Sequence, residues 1–256
     1  MKLHPRWCAL LTSVAAMGAT AGMLTPRSVS QSTFSVGELC TRLDRQIADL
    51  RAIVMHETIS RYHSAHGRTT KLDEFDAFVE ISGGADRLAL LRRNGRPYSG
   101  ETQLNGAWAL GDFSTVLRTS REALGKQAGD PGFDADGETG ILVTRFHCPA
   151  STGLWFVKVD SRIYWLDFQL EIRISAATGD LTEISWTSLP PAAGTDIRQI
   201  RRTVSFAPSE VGGRTYLLPT YAEYRVMHSE NRVEWNTARF GSPTRYDALS
   251  SVVFLE

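Results

Sequence analysis

The chain has 256 residues, no formal net charge, with 28 Lys and Arg against 28 Asp and Glu, and a hydrophobic content of 42%. This length suffices for one large domain or two small ones that bury a core without stapling. The balanced charge excludes the basic footprint of a nucleic-acid-binding protein, so we predict no nucleic-acid partner.

The N-terminus predicts export. A short basic start precedes an apolar run from Cys8 to Gly22, and Ala19-Thr20-Ala21 has the A-x-A spacing of a cleavage site. The run of roughly 15 residues is shorter than the ~20 needed to span a bilayer. We therefore expect a periplasmic or secreted monomer without a stable membrane anchor, organised as a signal peptide (1–21), a flexible leader (22–33) and one folded domain (34–256).

The folded part begins with an amphipathic helix. From Val36 to Ile53, apolar residues recur at steps of three and four, with charged residues between them. Ser35 precedes the run and is a suitable N-cap. Cys40 falls on the apolar face of this predicted helix.

The next segments change to a period of two, which predicts antiparallel strands. Three strands are expected around 54–62, 77–81 and 88–92, joined by loops at about 64–74 and at 82–84. A second helix follows over 113–124, with Asp112 as a possible cap and Gly125 at its end. The turn-forming residues after it predict a surface loop over 125–138.

From Ile141 onward the pattern is almost entirely strand. Leu142, Thr144, Phe146 and Cys148 share one face of the first strand of this half. Alternation over 168–174, a turn at 177–180 and a return over 181–186 predict a hairpin. Further strands are expected to be separated at Pro208, at 212–213, at 229–231 and at 241–243, and the last strand is expected at 250–256. The total is about ten or eleven strands and two helices, an α+β domain in which helices cover the concave face of a curved antiparallel sheet.

Two cysteines, Cys40 and Cys148, remain once the signal peptide with Cys8 is removed. Exported proteins fold where thiols are oxidised, and both residues are expected to face one core, so a disulfide between them is predicted. Closing so long a loop would contribute on the order of 4 to 5 kcal/mol. The alternative is two buried thiols.

No motif in the chain predicts catalysis. His56-Glu57 resembles the start of a zinc-peptidase motif, but Ser60 stands where the second histidine is needed. A loose cluster of His56, His63 and His66 and the acidic turn at 134–137 are equally weak metal candidates. His147 and Cys148 are neighbours on a strand and point to opposite faces. We predict no catalytic residue, metal or cofactor.

The order of elements is similar to that of the bacterial lipoprotein-carrier superfamily of LolA-, LolB- and RseB-like proteins. The resemblance spans most of residues 34–256 and rests on architecture: an N-terminal amphipathic helix, three strands, a helical insertion and a long meander. The C-terminal run looks like the sheet repeats of that group, with Gly179 in the hairpin turn, Ile184 and Trp186 on the return strand, Gly212-Gly213, and Tyr216-Leu217-Leu218-Pro219. It implies an unclosed β-barrel, covered by helices, that holds acyl chains in its cavity. It implies no ligand-binding residue, because no motif of that family is matched residue by residue.

Three functions follow as hypotheses. The first is an exported, non-catalytic module that binds a lipid, an acyl chain or a lipoprotein. The second is a secreted interaction or structural domain whose own side chains fill its core. The third is a hydrolase without a recognisable motif. A continuous apolar cavity of a few hundred Å³ would favour the first function over the second.

Overall fold

The computed structural model describes residues 34–50, 53–82, 85–100, 106–108, 113–127, 129, 131–136, 140–159, 162–189 and 195–245. The predicted signal peptide, the leader, the loop residues 83–84 and the final strand at 250–256 lie outside these ranges. The described elements are α1 (Val36–Asp49), β1 (Ile53–Ala65), β2 (Arg68–Ser82), β3 (Ala85–Arg93), β4 (Arg96–Pro97), α2 (Ser114–Gly125), β5 (Asp134–Ala135), β6 (Ile141–Cys148), β7 (Phe156–Val159), β8 (Arg162–Trp165), β9 (Phe168–Ser175), β10 (Leu181–Ser188), β11 (Ile197–Val211), β12 (Arg214–His228) and β13 (Val233–Arg245).

The first helix begins where the sequence predicts. The Ser35 hydroxyl accepts a hydrogen bond from the Glu38 amide at 3.2 Å, and the Glu38 carboxylate accepts one from the Ser35 amide at 2.9 Å. This reciprocal capping box satisfies two of the amides that the first turn of a helix leaves without partners. Leu39 and Leu43, one turn apart, are buried against the sheet.

Eleven of the described strands form one antiparallel sheet in the order β4-β3-β2-β1-β13-β12-β11-β10-β9-β6-β5, while β7 and β8 pair only with each other. Apart from the β1–β13 contact and the β6–β9 contact, neighbours in the sheet are also neighbours in sequence. The predicted α+β architecture, with an unclosed sheet of ten or eleven strands, is confirmed.

The attachment of α2 requires the sheet to be strongly curved. At its N-terminus, α2 is bonded to Asp86 of β3, and Ser120 accepts a hydrogen bond from Trp186 of β10. Six strand spacings separate β3 from β10 in the sheet, a path of roughly 29 Å. The helix rises only about 9 Å between residues 114 and 120. Because the path along the sheet is much longer than this span, α2 crosses the concave side.

The core fills the space between this concave face and the two helices. Every second residue is buried throughout β9, over 53–61 of β1 and over 200–206 of β11, in agreement with the alternation in the sequence. The largest fully buried side chains come from both layers: Leu39, Leu43 and Leu50 near or on α1, Phe113 and Leu117 of α2, and Phe75, Phe168 and Trp186 of the sheet.

The loop predicted over residues 64–74 is wrong. The chain instead reverses in two residues, His66 and Gly67, and β2 begins at Arg68. Both turn residues have positive φ, 50° and 75°, the combination that a tight two-residue hairpin requires. The polar residues 68–71 therefore belong to a strand, although their lack of apolar alternation is typical of a loop.

The strands β11 and β13 run through residues that were predicted to separate strands. Pro208 lies within β11, and residues 241–243 lie within β13. The pairing of β11 with β10 ends at Ser205, and that of β13 with β12 ends at Arg239. Each proline thus lies beyond the part of its strand that is paired on both sides, where a missing N–H is tolerated.

The cap of α2 comes from a distant strand. Asp112, the predicted cap, lies outside the described residues. The Asp86 carboxylate accepts hydrogen bonds from the amides of Ser114 at 3.0 Å and Thr115 at 3.2 Å. A carboxylate at this end is also favoured by the helix dipole, so Asp86 positions α2 as well as capping it.

A buried ion pair joins β1 to β2. Arg61 and Asp73 face each other in the register, and the guanidinium binds both carboxylate oxygens, at 2.6 and 2.8 Å. Arg93 of β3 adds a contact at 2.8 Å. Burial alone would raise the pKa of Asp73, but hydrogen bonds and charge interactions with Arg61 and Arg93 lower it below its ordinary value. The folded protein therefore holds Asp73 as a carboxylate.

We expect Asp73→Asn to lower the free energy of unfolding at neutral pH by about 3 to 5 kcal/mol, because it leaves the Arg61 charge buried without its carboxylate. The matched control is Asp76→Asn, on the exposed face of the same strand, which should change stability by less than about 0.5 kcal/mol. Urea unfolding measures both.

The same pair predicts a pH dependence. Because the folded-state pKa of Asp73 lies below the reference value of 3.8, its stabilisation is present above that pH and is lost as the pH falls through the folded-state pKa. The stability difference between wild type and Asp73→Asn should therefore persist in mild acid and shrink only in the acid range. A difference that disappears above pH 3.8 would contradict this assignment.

Candidate functional site

A cavity of about 590 Å³ lies between α2 and the concave face of the sheet. Thr115 and Thr119 of α2 form one wall, and Trp186, Arg202 and Tyr224, from three adjacent strands, form the opposite one. The remaining lining residues are Trp108 and the segment Leu154, Trp155, Phe156, Val157 and Lys158. The volume falls within the range of about 300 to 1,000 Å³ typical of small-molecule sites.

Aromatic rings that pack against one another build the apolar wall of the cavity. Trp155 makes edge contacts with Phe168 and Trp186, at centroid distances of 5.4 and 5.5 Å. The Trp186 indole nitrogen donates to the Ser120 hydroxyl at 3.1 Å, which satisfies its polar atom inside the core. These rings are thus held by one another and by α2, and the wall does not need a ligand to keep its shape.

Arg202 brings a positive charge to this apolar cavity. Its side chain is 94% buried, since the residue is only 6% exposed, and its guanidinium carbon lies 5.5 Å from the Trp186 ring centroid. A cation over an indole face is stabilised by the ring quadrupole. The sequence contained a signal for this residue, since Arg202 interrupts the otherwise apolar series Ile200, Val204 and Phe206 on one strand face.

The segment 106–108 closes another side of the cavity and is tied to β13. The Ala107 amide donates to Glu234 at 2.8 Å, and the Asn236 side chain donates to the Ala107 carbonyl at 3.3 Å. Trp108 packs edge-on against Phe75 at 5.4 Å. Sequence analysis did not identify Thr115 and Thr119 as lining residues, because short polar residues on a helix do not indicate what they face. It also missed Trp108, which lies in a Gly-rich stretch without periodicity.

A smaller groove of about 190 Å³ lies between α1 and the sheet. Arg42, Arg45 and Asp49 form its charged side, and Leu39 and Leu43 form its apolar floor. The Gln46 side chain donates to the Leu217 carbonyl at 2.8 Å and so bridges the groove. Because helix and sheet are already bonded across it, this groove is a seam of packing and the larger cavity is the candidate site.

The predicted disulfide is not formed in the structure: Cys40 and Cys148 are both thiols. Arg42, two residues after Cys40, donates to the Thr178 carbonyl in the turn that follows Ser175. Ser175 pairs with Ile141, whereas Cys148 is at the other end of β6, roughly 24 Å away at the rise of an extended strand. Cys148 lies at one end of β6, and Cys40 on α1 lies near the other end. Both face the same core, and the periodicity of the sequence could not show that they lie at different ends of it.

Cys148 is also an unsuitable nucleophile. Burial raises the pKa of its thiol to about 11, so very little thiolate is present at neutral pH. The neighbouring His147 points to the exposed face of the strand, as expected from the alternation of strand side chains.

The histidines are not assembled into a metal site within the described part of the chain, where no group of three or more metal-ligating side chains converges. His56 packs edge-on against Phe78 at 5.7 Å. His228 lies in a network of charges, 3.1 Å from Asp196 and 3.8 Å from Glu234, with Arg232 also in contact. In this network, burial would raise the pKa of Asp196, but hydrogen bonds with His228 and Arg232 lower it.

Five aromatic residues of the C-terminal half fall into three groups in the structure. Trp155, Trp186 and Tyr224 line the cavity. Trp235 stacks on Tyr62 at 5.2 Å outside it. Trp165 is half exposed on the β7–β8 hairpin.

Neither of the two described helices is long and apolar enough to cross a membrane.

Comparisons with known proteins give weak similarities. No protein-family model matches the chain, and neither does any curated protein. Among solved structures, a LolA superfamily protein from Nitrosomonas europaea superimposes with a TM-score of 0.36 and 8% identity, covering 84% of this chain and 94% of that protein. A DUF1329 family protein from Desulfovibrio piger gives a TM-score of 0.25 and 15% identity, covering 84% and 93%. The function must therefore be argued from the site.

We expect Cys148 to resist alkylation in the folded protein. At about pH 8, the raised pKa lowers its thiolate fraction on the order of a hundredfold relative to an ordinary thiol, and burial limits access further. Iodoacetamide followed by peptide mass spectrometry should show Cys40 modified first and both cysteines modified after unfolding. A cross-linked Cys40–Cys148 peptide in a non-reduced digest would contradict the thiol assignment.

Proposed function

We propose that this chain is an exported, non-catalytic protein that binds a molecule with a long acyl chain, either a lipid or a lipoprotein, in the bacterial periplasm or outside the cell. The observation that carries the proposal is the 590 Å³ cavity between α2 and the sheet. An interaction domain with a self-filled core, the alternative function, would have side chains in this space.

The lining of the cavity suits an acyl chain. Its walls are mostly aromatic and aliphatic, with Trp155, Trp186 and Tyr224 on the deep side. Each buried methylene of a ligand contributes about 0.8 kcal/mol, so a long chain gains enough to offset the cost of ordering it. Because the rings are held by contacts with one another, binding does not require the walls to reorganise.

The position of Arg202 indicates which end of the ligand is polar. A carboxylate or phosphate inside the cavity would meet this guanidinium where little water competes, and charge-assisted hydrogen bonds are strong in such surroundings. Thr115 and Thr119 offer hydroxyl groups on the opposite wall. The proposed ligand is therefore an acyl chain with an anionic headgroup.

The proposal excludes catalysis. The Asp196–His228 pair has the geometry of an oriented histidine, but the neighbours of its ring are the charged side chains of Arg232 and Glu234. An acyl-transfer site needs a nucleophile within reach of such a histidine. The pair lies at the end of β12 and does not line the cavity.

Native mass spectrometry of protein purified from its own cell envelope tests the export and the ligand together. We expect one species with the mass of a chain that begins at Gly22 and a second species that is heavier by one lipid or fatty acid. The variant Thr119→Trp, which fills the cavity from α2, should lose the heavier species, whereas Thr41→Trp, on the exposed face of α1, should retain it. Bound lipid in equal amounts on both variants would overturn the assignment of the cavity.

Arg202→Gln tests the headgroup. With a fluorescent fatty acid as the probe, we expect a loss of affinity of about tenfold or more, because a charged hydrogen bond is worth about 1.5 to 3 kcal/mol. The affinity for the matching fatty alcohol, which has no charge, is measured by competition with the probe and should differ little between wild type and Arg202→Gln. Equal losses for acid and alcohol would show that the substitution alters the shape of the cavity and not its charge.

A further inference from the structure

The β7–β8 hairpin turns large apolar side chains toward solvent. Phe156 and Trp165 are each 50% exposed, and Ile163 is 56% exposed. The register pairs Phe156 with Trp165 and Lys158 with Ile163. Since directly opposed residues of an antiparallel pair point to the same side, these four residues form one continuous surface, which we call the hairpin face.

The orientation of the hairpin is fixed by its other side. Val157 and Val159 pack against the core, so the alternation of strand side chains turns the hairpin face outward. The rings of Phe156 and Trp165 contact each other edge-on at 5.3 Å. The exposed apolar surface is therefore a formed feature of the fold, supported on its inner side by the partly buried Val157 and Val159.

We propose that the hairpin face docks on the surface of an anionic lipid bilayer. Tryptophan and phenylalanine favour the interface between headgroups and acyl chains. Lys158 lies on the same face, where its ammonium group could meet lipid phosphates. An apolar group beside a cation is the composition that a bilayer of this charge complements.

The size of the face favours a bilayer over a protein partner. Three half-exposed side chains of this kind present roughly 300 Å² of surface. A stable protein–protein interface buries about 800 Å² on each partner. Shallow insertion into a bilayer needs no matching surface, so a few side chains suffice to give reversible binding.

The hairpin also borders the cavity. Phe156 and Lys158 belong both to the hairpin face and to the cavity lining. Docking would place this side of the cavity against the bilayer, where an acyl chain could move between the two without crossing water. Docking itself goes beyond the proposed function, because it depends on exposed side chains and does not require a ligand in the cavity.

The test compares two triple variants in vesicle co-sedimentation. In one, Phe156, Ile163 and Trp165 are changed to serine. In the matched control, Leu72, Phe78 and Leu91, which are similarly exposed at 44%, 40% and 42% on β2 and β3, are changed to serine. With vesicles of phosphatidylglycerol and phosphatidylcholine, we expect at least about a tenfold loss of binding for the hairpin variant and less than about a twofold loss for the control.

Charge and depth are measured separately. Lys158→Glu should weaken binding to the mixed vesicles and leave the weaker binding to pure phosphatidylcholine unchanged. Brominated lipids should quench the tryptophan emission of the wild type, and Trp165→Phe should remove most of this quenching. The quenching experiment uses the unmodified hairpin, so it decides the question even if the triple variant does not fold.

Three outcomes would overturn the docking proposal. They are no vesicle binding by the wild type, equal losses in the two triple variants, and a dimer in analytical ultracentrifugation that only the hairpin variant abolishes, which would assign the face to a second copy of the chain. Vesicle binding without any ligand in the cavity would support docking while contradicting the proposed function. A bound lipid without vesicle binding would support the proposed function and contradict docking.

Discussion

The hydrogen bond between the Trp186 indole and the Ser120 hydroxyl, together with the Asp86 cap, determines how far α2 stands from the sheet. A helix held by apolar contacts alone would pack against the sheet until no space remained between them, since protein interiors approach the density of organic crystals. Here two strands on opposite sides of the curved sheet hold the same helix. The cavity beneath it is the space that this arrangement leaves.

Two buried arginines show how the same residue type serves different purposes in one fold. Arg61 is neutralised within the sheet by Asp73, its direct cross-strand neighbour, and lies over the rings of Phe75 and Trp108. Arg202 lies over a ring as well, but it lines the cavity. Arg61 stabilises the junction of β1 and β2, and Arg202 brings a positive charge to the lining of the cavity.

The sequence predicted the fold wherever local chemistry decides the structure. The capping box at Ser35 and the alternation over 168–186 led directly to α1 and to the β9–β10 hairpin, because each depends on residues close in the chain. The 64–74 segment and the prolines of β11 and β13 were misjudged, because backbone pairing carries a strand through residues that lack apolar alternation. The partner strand follows a short turn for Arg68 and Pro208 and is distant in sequence for Pro243. Polarity and proline content alone cannot show which edges are paired.

The candidate site could be predicted only in part. Sequence analysis predicted strands through most of the C-terminal half, and the position of Arg202 among the inward residues was visible in their alternation. The separation of Cys40 and Cys148 depends on which end of β6 the first helix crosses. That is set by contacts such as Arg42 with Thr178, 136 residues apart, and no periodicity reports it.

The prolines within the long strands also bear on how the protein avoids self-association. Where β11 and β13 extend past their neighbours, they present strand edges that a second chain could lengthen by pairing. Pro208 and Pro243 offer no N–H at these places, which interrupts the ladder that such pairing needs. A newly made chain must assemble its sheet among other unfolded chains. Pro208 and Pro243 allow strands of 15 and 13 residues to extend past their neighbours without pairing with other chains.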